Sequence, residues 1–137
     1  MVDVLDRDHC QLVTLTTGVI LAPAGYGSVY VENLSTTART VLIEFLTWPG
    51  TDVLPVGVLE QRITIDPGTI ASLTYPLSTT TGFVAGTLIE ARITTNSESL
   101  SGLIVTFFTT NSSTAPTSIQ TSVLNKDFTA FTTFIGS

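Results

Sequence analysis

The segment Thr40–Trp48 is apolar on two faces. Alternation across a strand sends Val41, Ile43 and Phe45 one way and Leu42, Leu46 and Trp48 the other, with Glu44 the single charge on the second face. A strand with one side in water is polar on that side. This segment is therefore expected to be covered twice: by the sandwich core on one face, and on the other by the chain's own C-terminal strands or by another copy. Val58–Ile65 and Leu88–Thr95 alternate cleanly, with Leu59, Ile63, Ile65 and Ile89, Ala91, Ile93 inward and Glu60, Arg62, Glu90 and Arg92 outward. If those two segments are neighbours, their charges pair across the sheet. Leu103–Phe108 again has two apolar faces.

Further β-type runs cover Gln11–Leu21, interrupted at Gly18, then Ser28–Leu34, Thr69–Tyr75, Thr117–Leu124 and Phe128–Ile135, with a short edge at Phe83–Ala85. Breakers punctuate them at Pro49-Gly50, Asp66-Pro67-Gly68 and Asn96–Ser99. The turn Ser35–Ala38 predicts a hairpin between Ser28–Leu34 and Thr40–Trp48. No segment has helical periodicity. Strands recurring about every ten residues with turns between them predict an all-β antiparallel β-sandwich, jelly-roll ahead of immunoglobulin-like, with extended terminal arms. The expected organisation is an N-terminal arm or connector over 1–14, the sandwich over 15–110, and a C-terminal linker with strands over 111–137 that pack on a neighbouring subunit.

Composition bears on partners. Charged residues are 12% of the 137, against a usual ~25%. The net charge is −6, and the four arginines and Lys126 are scattered, which argues against nucleic acid. No apolar run reaches the ~18 residues of a membrane-spanning helix. Leu12–Ala24 is apolar, but the segment before it carries Asp3, Asp6 and Asp8 against one Arg, the wrong charge for an export signal. An exterior location would then be reached by lysis or another non-standard route. A mean hydropathy of +0.44 with few repelling charges suits self-association.

Candidate chemistry is sparse. Asp3, Asp6, Asp8, His9 and Cys10 are metal-ligand types, but adjacent residues on one arm rarely converge, so a solvated arm or a subunit contact is favoured over a metal site. His9 is the single histidine, which leaves little material for a nucleophilic triad or dyad. Carboxylate pairs for glycoside chemistry would come from Asp52, Glu60, Asp66, Glu90 or Glu98, and these read as turn or outward strand positions. Tyr26, Tyr30, Trp48 and Tyr75 are candidates for a sugar platform, with core or interface packing the plainer reading. Asn33-Leu-Ser35 and Asn111-Ser-Ser113 match glycosylation acceptors, read here as chance. The expectation is no enzyme and no cofactor.

Val29-Tyr-Val-Glu-Asn33, Val41–Phe45, Ile63-Thr-Ile-Asp-Pro-Gly68, Glu90-Ala-Arg-Ile93 and Ile104-Val-Thr-Phe107 together resemble a pattern in small surface proteins of spore-forming bacteria. Some of these are the subunits of endospore appendages. The resemblance spans residues 28–109. It implies a jelly-roll sandwich whose N-terminal connector docks on earlier subunits of a fibre, with connector cysteines in intersubunit disulfides. Cys10 is the one position here that can carry such an intermolecular disulfide, a departure from connectors that usually hold more than one cysteine. The expected function is a self-assembling structural subunit of an extracellular fibre or spore or particle surface, polymerising by terminal-arm strand exchange. The alternatives are a phage virion decoration or tail protein, and a carbohydrate-binding module. The expected partner is the chain itself, with a glycan the remaining candidate ligand. The expected assembly residues are His9, Cys10, Leu42, Leu46, Trp48, Phe128, Phe131 and Phe134.

Overall fold

The computed structural model describes residues 11–21, 25–49, 54–77, 88–96, 99–110, 119–124 and 127–134, with backbone alone at 76–77, 110, 119–123 and 131–134. Ten strands follow in order: β1 Gln11–Thr16, β2 Ile20–Leu21, β3 Gly25–Asn33, β4 Arg39–Trp48, β5 Val56–Ile65, β6 Ile70–Leu77, β7 Leu88–Asn96, β8 Leu103–Thr110, β9 Ile119–Val123 and β10 Thr129–Phe134. The larger sheet runs β10-β1-β7-β4-β5, with β2 also on β7, and the smaller runs β6-β3-β8-β9. Every pairing is antiparallel. The chain is an all-β sandwich. The nested pairs β1–β10, β3–β8 and β4–β7 give it a rolled character, while β5 and β6 at the innermost step lie on different sheets. The strand order therefore establishes the sandwich and not the jelly roll in particular.

The core is built by the alternation that the sequence carries. Val41, Ile43 and Phe45 from β4 and Ile89, Ala91 and Ile93 from β7 face Val29 and Val31 from β3 and Val105 and Phe107 from β8, all essentially without exposure. Each large side chain so buried stabilises the fold by about 1.5–3 kcal/mol. Tyr75 reaches in from β6 and stacks on Phe45 with ring centroids 6.2 Å apart. Phe128 packs at the edge of the same cluster.

The expected hairpin between the third and fourth strands is not formed. β3 belongs to the smaller sheet and β4 to the larger, so residues 34–38 cross between layers. Asn33 makes that crossing. It is fully buried, and its Nδ2 donates to the carbonyls of Thr37 and Ile65, both at 2.9 Å. Its Oδ1 accepts from the backbone N–H of Ser35 at 2.9 Å and from the Ser35 hydroxyl at 2.6 Å. Its backbone joins the β5–β6 turn through Gly68 and Thr69, and Leu34 N–H donates to Gly102 in the β7–β8 turn. The Asn33 side chain ties the 34–38 link to the end of β5, and the backbone of Asn33 and Leu34 ties in the two neighbouring turns at the same end of the sandwich. The Asn33 amide has no free hydrogen for a glycan in the folded chain, which disposes of that acceptor sequence. The second one, at Asn111, lies outside the described residues.

Gly102 sits in this corner at φ +83, and a Cβ there would lie 3.0 Å from the Ser35 Cβ. Both the backbone angle and the close approach require glycine.

The C-terminal strands do not lie over the outer face of β4. Within this chain β9 extends the smaller sheet beside β8, and β10 extends the larger one beside β1. β1 begins at Gln11, inside the segment expected to be an arm. Among the described residues no helix is long and apolar enough to cross a membrane.

Candidate functional site

Register decides which outward residues meet. β5 and β7 are not neighbours, because β4 lies between them. The expected direct pairing of Glu60 and Arg62 with Glu90 and Arg92 therefore does not occur. Instead Glu44 on β4 stands opposite Glu60 on β5 and opposite Arg92 on β7, and Arg92 stands opposite Thr16 on β1. The next outward positions bring Leu46 opposite Glu90, and Trp48 opposite Leu88, which pairs in turn with Leu21. The outer face of the larger sheet thus carries a charged strip flanked by apolar side chains.

Glu90 is the centre of the strip. Although it points away from the core, it is only 5% exposed. Its Oε1 accepts from Trp48 Nε1 at 3.0 Å and from Arg92 Nη2 at 3.2 Å. Its Oε2 accepts from Arg92 Nε at 2.9 Å and from the Thr16 hydroxyl. Burial pushes the Glu90 carboxyl up, but the donors from Arg92, Thr16 and Trp48 more than offset it, so the group stays below the ordinary range. The same contact holds the Arg92 guanidinium above its usual value. With both oxygens engaged by two donors each, Glu90 has no lone pair free to act as a base or nucleophile. It ties β1, β4 and β7 together. Beside it Thr14 and Thr94 share a buried hydroxyl–hydroxyl bond of 2.8 Å.

Glu44 is in the opposite condition. Burial raises its carboxyl first, the charge of Glu60 raises it further, and a hydrogen bond with Glu60 adds to this, while Arg92 pulls it back. The pair borders a groove of about 330 Å³ lined by Glu44, Gly57, Val58, Leu59 and Glu60. A β-bulge makes the groove: Phe45 faces Leu59 and Leu46 faces Gly57, so Val58 is the extra residue. The arrangement offers one pair of carboxyls able to share a proton and one carboxylate fully engaged.

Of the expected assembly residues, Leu42, Leu46 and Trp48 do lie together on this outer face, with Leu46 only 6% exposed. Phe128 instead packs at the core margin. Phe131 and Phe134 fall on β10, opposite Thr14 and Gln11, with side chains outside the described set. His9 and Cys10 lie outside the described residues, as do Asp3, Asp6, Asp8, Asp52 and Glu98. Among the described residues no three His, Cys, Asp or Glu side chains form a metal-binding group.

The four aromatic candidates do not share one face: Tyr26 and Tyr30 alternate onto the outer side of β3 in the smaller sheet, and the other two lie elsewhere. Trp48 is on the outside of the larger sheet, held by Glu90, and Tyr75 is turned to the core. Tyr30 stacks on Phe108 from the smaller sheet, with ring centroids 5.2 Å apart and planes 13° from parallel. The central role of Glu44 is invisible in sequence, because its partners come from two other strands. Only the isolation of one charge in an apolar run marks it.

No known protein family matches the sequence, and no curated protein matches it. Among solved structures, a protein described as Thermotoga maritima 1070 is similar with a TM-score of 0.44 and 15% identity, covering 88% of this chain and 90% of its own. That likeness is too distant to bear on what the chain does.

Proposed function

We propose that this chain is a self-assembling structural subunit of an extracellular fibre or of a spore or particle surface, in which copies add head to tail and exchange a terminal arm. The observation that carries this reading is the placement of the exposed apolar side chains. Leu34, Ile70 and Ile104 are 57%, 60% and 38% exposed at the Asn33 end, and Ile70 and Ile104 flank Glu32 in one rung of the smaller sheet. Leu21, Leu54 and Val56 are 64%, 84% and 53% exposed at the other end, where Leu21 shares a rung of the larger sheet with Leu88 and Trp48. Scattered apolar residues need no explanation, but clusters mark contact surfaces. Two different patches at opposite ends suit a heterologous contact, which propagates instead of closing. The low charge content removes the usual barrier to such packing.

The test is removal of residues 1–10, followed by circular dichroism and negative-stain microscopy with and without reductant. The expected result is a folded protein that no longer forms fibres, with reductant weakening the wild-type fibres through Cys10. A truncated chain that still polymerises would refute arm exchange.

A further inference from the structure

We infer that the Glu44–Glu60 pair is a proton-operated latch on the free edge of the larger sheet: a proton held between the two carboxyls keeps the first half of β5 closed on β4, and its loss lets Val56–Glu60 open as far as the central part of the strand.

The position of β5 makes this mechanically reasonable. It is the end strand of its sheet, bonded on one side to β4 and on the other to no strand among the described residues. Its two halves are held unequally. Ile65 is 2% exposed in the core and Ile63 packs against the same cluster. In the first half no side chain is fully buried: Val58 and Leu59 pack half-buried against the cluster, Val56 is 53% exposed, and nothing lies within 4 Å of a Cβ built on Gly57. Segments with few buried contacts are the ones that open locally. The carboxyl pair closes this weak half, at the last rung before the better-held part.

The surroundings set the direction of the response. From β5, Glu60 stands opposite Glu44, with Arg62 one outward position along. From β7, Arg92 and Glu90 face it. Its outward neighbours on β4 itself, Leu42 and Leu46, carry no charge. Arg92 is the one cation opposite Glu44, and it is bound in two places to Glu90. Two ionised carboxylates in directly opposed positions therefore repel, with partial compensation. Burial and the nearness of Glu60 hold the Glu44 carboxyl above its ordinary value, so its proton leaves at a higher pH than that of a free glutamate. Above that point the paired edge weakens, and β4 presents unpaired backbone N–H and C=O groups over Phe45–Thr47, a template for an added strand. Use of that opening as an acceptor for another copy rests on the assembly reading. The latch itself does not.

Amide hydrogen exchange on the full chain, kept monomeric at low concentration, separates the two ideas. Protection is measured from pH 4 to pH 8 and corrected for intrinsic exchange, in the wild type, Glu44→Gln and Glu60→Gln. In the wild type the protection at Val56–Glu60 should fall about two- to fivefold as Glu44 ionises, as expected of opposed like charges, while Ile93 on β7 stays constant. Both Gln variants should show no fall. A flat wild-type profile overturns the latch, and so does either variant that repeats the wild-type fall. A chain that never forms fibres but shows this profile would remove the assembly reading and leave the latch standing.

Discussion

Replacing Glu90 by Gln tests whether a carboxylate on the outer face of a sheet holds three strands together. The substitution keeps the shape and one acceptor oxygen. It puts an amide nitrogen where an oxygen now receives Arg92 and Thr16, and it leaves the Arg92 guanidinium without its counter-charge. A hydrogen bond to a charged group contributes about 1.5–3 kcal/mol, and breaking a buried pair from one side costs about 3–5 kcal/mol. Arg92 is 29% exposed, so water screens part of the loss and the guanidinium can turn toward Glu44. The expected destabilisation at pH 7 is therefore about 2–3 kcal/mol, a large share of the roughly 5–15 kcal/mol available to a domain. Because the Glu90 carboxyl is depressed in the folded chain, its contribution is complete above the ordinary glutamate value near ~4.3 and is lost as the pH falls through the lower folded value. The gap between wild type and variant should thus narrow as the pH falls into acid. Urea titrations followed by Trp48 emission measure it, and circular dichroism checks that one transition is seen. The single tryptophan donates to Glu90, so the native emission should itself shift in the variant. A loss below about 0.5 kcal/mol, or one equal at pH 7 and pH 3, would refute the reasoning.

Asn33→Ala should cost about 3–4 kcal/mol by urea unfolding, because the buried Ile65 carbonyl loses its donor and Ser35 loses its acceptor. A cost under about 1 kcal/mol would mean that the corner is held by its backbone bonds alone. Gly102→Ala should lower the melting temperature through about 1–3 kcal/mol of strain, since a methyl group would meet the Ser35 Cβ at 3.0 Å at a φ of +83; an unchanged melting temperature would contradict this.

Much of the layer structure was legible because alternation is a local property. Val41, Ile43 and Phe45, and Ile89, Ala91 and Ile93, could be assigned to the core without knowing their neighbours. Sheet membership was not legible. A short polar link such as Ser35–Ala38 looks the same whether it closes a hairpin or crosses between layers. What decides is the Asn33 side chain, whose acceptor carbonyls lie four and thirty-two residues away. The charged strip was hidden for a related reason. Glu60 and Glu90 both read as solvated positions; Glu60 is indeed exposed, though it stands opposite a second glutamate, whereas Glu90 is nearly sealed from water. Register across three strands produced both outcomes, and register is not written in any one segment.

The place of β1 has a consequence for how the chain is made. One of its edges is bonded to β7 and the other to β10, the last of the described strands. During synthesis β1 emerges first among the described strands, yet its second partner emerges last. Until then its outer backbone row is an open edge, and the larger sheet is incomplete. Closing it requires pairing Gln11 with Phe134, nearly the full length of the chain, and contacts so distant in sequence form slowly. Each new molecule therefore passes through an interval in which β1 is available to whatever other extended segment arrives before its own β10.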